Sequence, residues 1–385
     1  MCAQAANPME GNLYWESLRS FLKPINYLLD DPKVSEVMIN GDKIFYEEGG
    51  KIDTADATIS ESSLLAAARN LAQFVGKEML PETRELSARL PDGSRVQVIL
   101  PPCSHSGVCF AIRKFSKHKL VLDDLVKWGS LTEHAAKWLE YVVMMQKNTL
   151  VSGGTGSGKT TLLNILASML PEGERVMIIE DTCELQIDHD HLVSTETQAA
   201  VDKSGKGAIS MRDLVKVALR MRPDRIIVGE VRGAEAMDLL QAMSTGHSGS
   251  MGTVHANDPY GALRRMETLA TYGSGGEIPL SAIRAQVSSA LECIVQVNRF
   301  GDGSRRLTHI SEVLPLDLQG NYQVKHIFEF ELEGKDPATG KILGSLKPTG
   351  EISEFLPQAP MFGLDLDEDF FQAGAVTSDT DKTLV

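Results

Sequence analysis

The sequence lacks a long apolar run and a secretory leader. Among its 385 residues, 42% are hydrophobic, yet no stretch reaches the roughly 18 consecutive apolar residues that a membrane-spanning helix needs. The first residues do not combine a basic segment with an apolar one, as a secretory signal does. We therefore expect a cytoplasmic protein whose contact with a membrane is peripheral.

Cysteine pairs at metal-binding or redox spacing are also missing. The chain contains no CxxC pair, and no cysteine stands at a metal-ligand spacing from a histidine. This pattern predicts free thiols in a reducing compartment and argues against a zinc module. The five cysteines are Cys2, Cys103, Cys109, Cys183 and Cys293.

Positive charge is scarce at the end of the chain. The net charge is −14, and residues 351–385 hold many acidic side chains but a single Lys. Because phosphate contacts need clustered Lys and Arg, this balance argues against nucleic acid as the main ligand. The segment also loses hydrophobic periodicity, so we predict an acidic, disordered tail over residues 351–385. It is either a solvating end or a docking segment for a partner.

The first part of the chain predicts an α+β domain over residues 1–122. Apolar residues recur at helical spacing over Tyr14–Leu29, which predicts a helix. In Val37–Tyr46, the turn residues Asn40-Gly41-Asp42 interrupt an alternating pattern, which predicts a β-hairpin. Further alternating segments indicate that the sheet of this domain is antiparallel.

The second part predicts a different architecture. Residues 123–147 are interpreted as a linker and connecting helix, and residues 148–350 alternate short apolar strands with helices. Such alternation is typical of an α/β domain with a mostly parallel sheet and helices on its faces.

A glycine-rich loop follows the first strand of that α/β domain and fits the pattern GxxxxGK[ST]. Glycines let the backbone turn tightly enough to point successive N–H groups at a phosphate, and the following helix adds its positive end. Lys159 would reach the β- and γ-phosphates, and the Thr160 hydroxyl would ligate Mg²⁺. A flexible linker is the alternative. The candidate ATP-binding residues are Gly153, Gly154, Thr155, Gly156, Ser157, Gly158, Lys159, Thr160 and Thr161.

Two apolar segments end in carboxylates, as a site for a divalent metal and a phosphate requires. Ile226–Val228 leads to Glu230, so this carboxylate is placed at the carboxyl end of a strand, where open parallel sheets bind ligands. We expect Glu230 to polarise water or to organise the metal shell. A second segment ends in Glu180, with Glu184 four residues later; each is either a site residue or a solvated loop residue.

Two histidines, His247 and His255, lie among small and hydroxyl-bearing residues around a predicted short strand. A histidine near a γ-phosphate can donate a hydrogen bond and so report whether that phosphate is present.

Four motifs in this order resemble those of the type II and type IV secretion ATPases. Gly153–Thr160 resembles their Walker A loop, Ile179–Leu185 their Asp box, Leu219–Gly233 their Walker B segment, and Thr245–Asn257 their His box. The resemblance covers roughly residues 30–350 and is greatest to the VirB11, TrbB and tight-adherence (CpaF-like) branch. It implies a RecA-like P-loop domain with a smaller N-terminal domain, assembled as a homohexamer.

The resemblance also implies roles for particular residues. Lys159 and Thr160 would bind phosphate and Mg²⁺, and Glu230 would be the catalytic carboxylate, holding Mg²⁺ partly through water. Glu180 and Glu184 would belong to the Asp-box site, and His247 and His255 would sense the γ-phosphate. From the N-terminal domain, Arg113 would reach the phosphates together with Arg89 or Arg95.

The function that the resemblance implies is an ATPase that powers assembly of a tight-adherence pilus or secretion apparatus. It would act at the inner membrane from the cytoplasmic side, on platform proteins and without direct contact with nucleic acid. A conjugative TrbB-like transfer ATPase is the alternative within the family. A nucleic-acid translocase and a nucleotide-gated scaffold without catalysis are the alternatives outside this function.

Overall fold

The chain divides into two compact units, Met1–Lys119 and Leu120–Val385. The structure is a computed structural model that describes residues 8–76, Met79, residues 82–115 and 120–198, Ala200 and residues 206–372. Each unit has buried apolar cores of its own. Over the described residues, no helix is both long and apolar enough to cross a membrane.

The first unit is built on an antiparallel sheet whose inner face shares a core with helices. Its described elements are α1 (Pro8–Phe21), α2 (Asn26–Asp30), β1 (Val34–Asn40), β2 (Lys43–Glu48), β3 (Lys51–Thr54), α3 (Glu61–Phe74), β4 (Glu85–Arg89), β5 (Arg95–Ile99) and β6 (Cys109–Arg113). The strand order is β3-β2-β1-β6-β5-β4, and these neighbours all pair antiparallel. Alternate residues such as Val37 and Ile39 share the core with Leu64 and Leu71 of α3.

Gly41 and Pro24 explain why the predicted hairpin in this unit is correct and the predicted long helix is not. The predicted hairpin is confirmed, because Asn40 pairs with Lys43 and Gly41 adopts a φ of +65°. A continuous helix over Tyr14–Leu29 is wrong. A 3-10 turn, Lys23–Ile25, separates α1 from α2, since Pro24 has no backbone N–H and disfavours helical geometry at the residue before it.

The second unit is a large mixed sheet with helices on both faces. Its described elements are α4 (Leu122–Lys127), α5 (Glu133–Met144), β7 (Thr149–Gly153), α6 (Lys159–Ala167), β8 (Val176–Glu180), β9 (Leu192–Glu196), α7 (Met211–Ala218), β10 (Arg225–Val228), α8 (Glu235–Ser244), β11 (Met251–Val254), α9 (Pro259–Gly273), α10 (Leu280–Ala290), β12 (Cys293–Arg299), β13 (Arg305–Leu314), β14 (Gln323–Lys335) and β15 (Ile342–Pro348). The strand order is β15-β14-β13-β12-β7-β11-β10-β8-β9. Strands from β12 to β9 in that order pair parallel, and β13, β14 and β15 continue the sheet antiparallel.

Both faces of the parallel part are buried, as its apolar strands require. In β8, Ile178 belongs to one core, with α5 and α6. The neighbouring Met177 and Ile179 belong to the other core, with residues of α7 to α10. This arrangement holds the carboxyl ends of β7, β8, β10 and β11 at one edge of the sheet.

The segment interpreted as a linker belongs to the second unit. Residues 123–147 form most of α4 and all of α5, and Trp138 of α5 is fully buried in a core with β7 and α6. Helix α5 begins at a capped end, where the Thr132 side chain accepts a hydrogen bond from the Ala135 N–H.

The prediction of a disordered tail from residue 351 is wrong for residues 351–372. Two 3-10 helices, Leu356–Phe362 and Glu368–Phe371, pack on the second unit. Phe355 and Phe371 are buried against Trp138, with ring centroids 6.3 and 5.2 Å away. The anchors are aromatic residues at irregular spacing, so hydrophobic periodicity could not reveal them. Residues 373–385 lie outside the described part of the chain.

A buried carboxylate adds a polar anchor for the same segment. Glu312 of β13 is 1% exposed and accepts hydrogen bonds from the Ser353 hydroxyl and from the Glu354 N–H at 2.9 Å. Burial raises the pKa of Glu312, and these hydrogen bonds oppose the increase. The segment therefore satisfies a group that would otherwise be costly to bury.

We predict that Phe371→Ala destabilises the second unit by about 3–5 kcal/mol, because it leaves a cavity beside Trp138. The free energy of unfolding in urea, followed by tryptophan fluorescence, measures the effect. Met361→Ala is the control: Met361 is 82% exposed, so its loss should change stability by less than about 0.5 kcal/mol. Equal stability of the Phe371 variant and the native protein would contradict the docking of residues 351–372.

Candidate active site

The glycine-rich loop joins the carboxyl end of β7 to the amino end of α6. Every residue of β7 is buried. Gly156 and Gly158 have φ values of +69° and +100°, which glycine adopts without strain, and Gly158 is the N-cap of α6. The N–H groups at the start of α6 thus open into the loop, as an anion site needs.

Gly153 is required by the packing of β7 against β12. A Cβ atom at this position would lie 2.3 Å from the carbonyl oxygen of Val297 and 2.6 Å from the Ser157 hydroxyl. The adjacent Gly154 has open space around it, with no atom within 4 Å of such a Cβ. The first glycine of the motif therefore permits two parallel strands to approach each other.

Lys159 contacts groups of the loop and of β11. It is 7% exposed, its Nζ donates to the Gly154 carbonyl at 2.9 Å, and it lies 3.4 Å from Nδ1 of His255. Burial lowers the pKa of Lys159, and the nearby Glu230 carboxylate opposes this change. The ammonium group is thus held beside the loop.

Glu230 lies two residues beyond β10 and is held on both oxygens. His255 Nε2 is 3.0 Å from Oε1, and Arg232 Nη2 donates to Oε2 at 2.7 Å. Burial raises the pKa of Glu230, but the Arg232 hydrogen bond and the charges of Arg232 and Lys159 outweigh it, so the pKa falls below its usual value. These contacts therefore favour the ionised form of the carboxylate.

His255 follows β11 directly and connects Lys159 to Glu230. Burial and the charge of Lys159 lower the pKa of His255, while Glu230 opposes them. The pKa of His255 therefore lies below its usual value, which favours the neutral imidazole. Its contact with Glu230 favours a proton on Nε2, and Lys159 Nζ lies at nearly equal distances from the two ring nitrogens, 3.4 Å from Nδ1 and 3.5 Å from Nε2.

The Asp-box carboxylates contribute in different ways. Glu180 ends β8, is 2% exposed, and its Oε1 accepts from the N–H groups of Glu184 and Leu185 at 2.8 and 3.0 Å. Burial raises the pKa of Glu180. Its side chain thus shapes the turn after β8. Glu184 is half-buried, and its charge, like that of Asp181, raises the pKa of Arg232.

The structure does not bring His247 to this site. His247 precedes β11 at its amino end, where Nδ1 is 3.2 Å from the Ala242 carbonyl and the backbone oxygen accepts from the Ser250 hydroxyl. Parallel strand β11 separates it from His255 by roughly 10 Å. The prediction that His247 senses the γ-phosphate is wrong for the P-loop of its own chain, because the motif spans both ends of one strand.

The donor set fits a magnesium ion that arrives with a nucleotide. Thr160 lies in the first turn of α6, and Glu230 supplies a carboxylate at the same edge of the sheet. Mg²⁺ is usually held by one or two protein oxygens together with phosphates and water. The described residues contain no cluster of three or more His, Cys, Asp or Glu side chains that could bind a metal.

The three predicted arginines lie in the first unit and share one face of its sheet. Arg95 pairs with Arg113 between β5 and β6, and with Arg89 between β4 and β5. Glu36 of β1 continues the row beside Arg113. Residues directly opposite each other on neighbouring strands point to the same face, so the arginines form one cationic row.

Two kinds of site residue were missed by the sequence reasoning. Arg232 stands in the Walker B segment, two residues after Glu230, and this short spacing was an available signal. Arg299 and Arg305 belong to none of the motifs found in the sequence. The β12–β13 hairpin places them beside the P-loop, where Arg305 Nε donates to the Gly156 carbonyl at 2.9 Å.

Comparison with known proteins identifies the family. The sequence model of the type II/IV secretion system protein family matches residues 22–308, a span that includes the loop and both carboxylate segments. The chain belongs to this family. The sequence resemblance is thereby confirmed.

Relatives of this chain differ in their sequence identity to it and in the share of each sequence that the match covers. The conjugal transfer protein TrbB of Rhizobium radiobacter is 35% identical over 310 residues, which cover 79% of this chain and 90% of TrbB. An uncharacterised protein of Methanocaldococcus jannaschii is 40% identical over 232 residues, covering 58% of this chain and 32% of that protein. The chain thus spans about a third of the length of the archaeal relative.

Solved structures show the same fold. The crystal structure of the pilus retraction motor PilT with bound ADP matches with a TM-score of 0.54 and 21% identity, over 79% of this chain and 84% of that chain. This likeness confirms the predicted fold class of a RecA-like P-loop domain with a smaller N-terminal α+β domain.

We predict that Gly153→Ala lowers the stability of the second unit by about 1–3 kcal/mol, since the added methyl group would displace Val297 of β12. Gly154→Ala is the matched control and should change stability by less than about 0.5 kcal/mol. Urea unfolding of the nucleotide-free proteins compares them. If the Gly153 variant were as stable as the Gly154 variant, the close packing of β7 on β12 would be wrong.

Proposed function

We propose that this family member binds ATP with Mg²⁺ and hydrolyses it. The observation that carries the proposal is the hydrogen-bonded row from the P-loop lysine to a carboxylate. Lys159 Nζ lies 3.4 Å from His255 Nδ1, and His255 Nε2 lies 3.0 Å from Glu230 Oε1. Lys159 begins α6, His255 directly follows β11 and Glu230 lies two residues beyond β10, so the sheet places a phosphate-binding cation and a candidate base at one edge.

Lys159, Glu230 and Thr160 have different roles in the proposed phosphoryl transfer. Lys159 leaves the Gly154 carbonyl to bind the β- and γ-phosphates, with the N–H groups of residues 154–161 around them. Glu230, ionised because its pKa is low, orients the attacking water and accepts its proton. Thr160 and Glu230 would hold Mg²⁺, which would neutralise charge on the phosphates.

Neighbouring residues adjust this arrangement. His255 is neutral with a proton on Nε2, so rotation of its ring lets it donate to a γ-phosphate and release Glu230. Glu180 keeps the turn after β8 in place, and Glu184 adds negative charge near Arg232. The resemblance alone assigns the arginine row of Arg89, Arg95 and Arg113 to the nucleotide phosphates.

The biological role that we propose is a homohexameric motor of a secretion, transfer or pilus machine. It would work at the cytoplasmic side of the inner membrane on platform proteins, without direct contact with nucleic acid. TrbB, with 90% of its length matched, supports a role in conjugative or type IV transfer as strongly as the motif resemblance supports a tight-adherence pilus.

Two other functions would require different residues or behaviour. A nucleic-acid translocase would need clustered positive charge along a strand path, which the net charge of −14 does not favour. A scaffold that binds ATP without turnover would not need Glu230 to be ionised and oriented. Hydrolysis measurements distinguish the scaffold from the motor.

We predict that Lys159→Ala weakens ATP binding by at least about 100-fold, because a buried charge-assisted contact is lost. Glu230→Gln should retain binding and lower kcat by about 10²–10⁴-fold. Calorimetric titration and a phosphate-release assay measure the two quantities. Glu277→Gln, an exposed change in the loop between α9 and α10, is the control. Native turnover as slow as that of Glu230→Gln would favour the scaffold.

The partners that the motor binds distinguish a pilus motor from a transfer ATPase. In cells that express Glu230→Gln from its own locus, trapped ATP should keep the ring on its partner. Cross-linking and mass spectrometry should then recover polytopic membrane platform proteins with pilins, or components of a transfer channel. The first set supports a pilus motor and the second a transfer ATPase. Recovery of DNA or soluble proteins alone would contradict both.

A further inference from the structure

The hairpin between β12 and β13 places two arginines, Arg299 and Arg305, beside the P-loop, on the side of β7 away from β11. Strand β12 runs parallel to β7, with Val297 paired to Gly153. Arg299 is two residues further along and therefore lies beyond the end of β7, beside the loop. Arg305 begins β13 and is the direct cross-strand partner of Arg299.

Both side chains reach the loop itself. Arg305 Nε donates to the Gly156 carbonyl at 2.9 Å. Arg299 Nη1 lies 3.6 Å from the position of a Cβ on Gly156, and Arg305 Cδ lies 3.7 Å from that of a Cβ on Gly158. Gly156 and Gly158, which have positive φ values and no side chains, thus leave the loop backbone accessible to the two exposed arginines.

The hairpin presents these arginines on a defined turn. Asp302 accepts from the Ser304 N–H at 2.9 Å and from its hydroxyl at 2.6 Å, and it accepts from the Ile342 N–H at 2.7 Å. These hydrogen bonds lower the pKa of Asp302 to about 2. The turn between Arg299 and Arg305 is therefore tied to strand β15, and its carboxylate is directed to the sheet.

Sheet order separates the two sides of the nucleotide site. The strands run in the order β12-β7-β11-β10, so Glu230 and His255 lie on one side of β7 and the hairpin arginines on the other. If a triphosphate lies along the loop with its γ-phosphate toward Glu230, this strand order would direct its α-phosphate and ribose toward β12. Two like charges directly opposite each other weaken a sheet, and an anionic group between them removes that cost.

We propose that Arg299 and Arg305 form an anion-binding rim that contacts the α-phosphate and ribose end of bound ATP. The inference rests on the proposed function, because the same P-loop must bind ATP. Arg305 acts through its hydrogen bond to Gly156 as well as through its charge. Arg299 acts through its charge and its donors at the end of β12.

The test measures the steady-state kinetics of ATP hydrolysis by the full chain with both arginines replaced. The Arg299→Gln/Arg305→Gln variant should raise KM for ATP by about 10- to 100-fold, as expected for lost charge-assisted hydrogen bonds. Its kcat should stay within about twofold, because contacts at the α-phosphate do not change in the transition state. Arg264→Gln, which removes an exposed charge from α9, should leave both constants unchanged.

Two further measurements distinguish a direct contact from a distorted loop. Arg305→Lys keeps the charge but not the planar donor to Gly156, so its KM should lie between those of the native and double variants. The single variant Arg299→Gln leaves the Gly156 hydrogen bond in place and should still weaken ADP binding and reduce its dependence on salt. These variants remain informative if the double variant does not fold.

The outcomes separate this inference from the proposed function. Native ATP affinity in Arg299→Gln and in the double variant, while Lys159→Ala loses binding, would overturn the rim and leave the ATPase standing. A fall in kcat at unchanged KM would also overturn it, since it would place the arginines at the transferred phosphate. Absence of ATP binding by the native protein would overturn the proposed function first.

Discussion

The parallel pairing of β7 on both of its edges is the constraint on which the site depends. Its neighbours β11 and β12 pair with the same residues of β7, from Thr149 onward, and every residue of the strand is buried. Because β10 pairs with β11 in the same sense, the carboxyl ends of the strands converge. The P-loop, Glu230, His255 and Arg299 all leave the sheet at this edge.

The charged groups of the site contact one another. Lys159 donates to a loop carbonyl and approaches His255, and Glu230 is shared by His255 and Arg232 at 3.0 and 2.7 Å. Each contact satisfies a group that burial would otherwise penalise. Under the proposed function, a nucleotide would have to compete with several of these contacts at this edge of the sheet.

The amino end of β7 is anchored by the C-terminal segment. Lys147 donates to Glu292 at 3.0 Å and to Gln358 at 2.8 Å, and its Nζ lies 4.6 Å from the centroid of the Phe355 ring. The adjacent Asn148 N–H donates to the same Glu292 at 2.9 Å. Residues 351–372 therefore support, through α5 and Lys147, the strand that ends in the P-loop. The acidic composition of this segment did not predict that it packs on the second unit.

The sequence alone determined the elements whose signals are local. The pattern from Gly153 to Thr160 specified a phosphate loop, since turn geometry and the start of a helix are properties of neighbouring residues. The apolar run before Glu230 specified a buried strand with a carboxylate beyond its end. The turn at Gly41 specified a hairpin. These features were sufficient for the family and the fold class.

Tertiary structure decided which of these residues meet. His247 and His255 look equivalent in one motif, but a strand separates them, so only His255 contacts Glu230. Glu180 and Glu230 both follow apolar strands, yet burial makes the first a support for a turn. Arg299, Arg305 and the aromatic residues near the end of the chain act through partners distant in sequence. Their contacts depend on strand order and on packing, which no local pattern records.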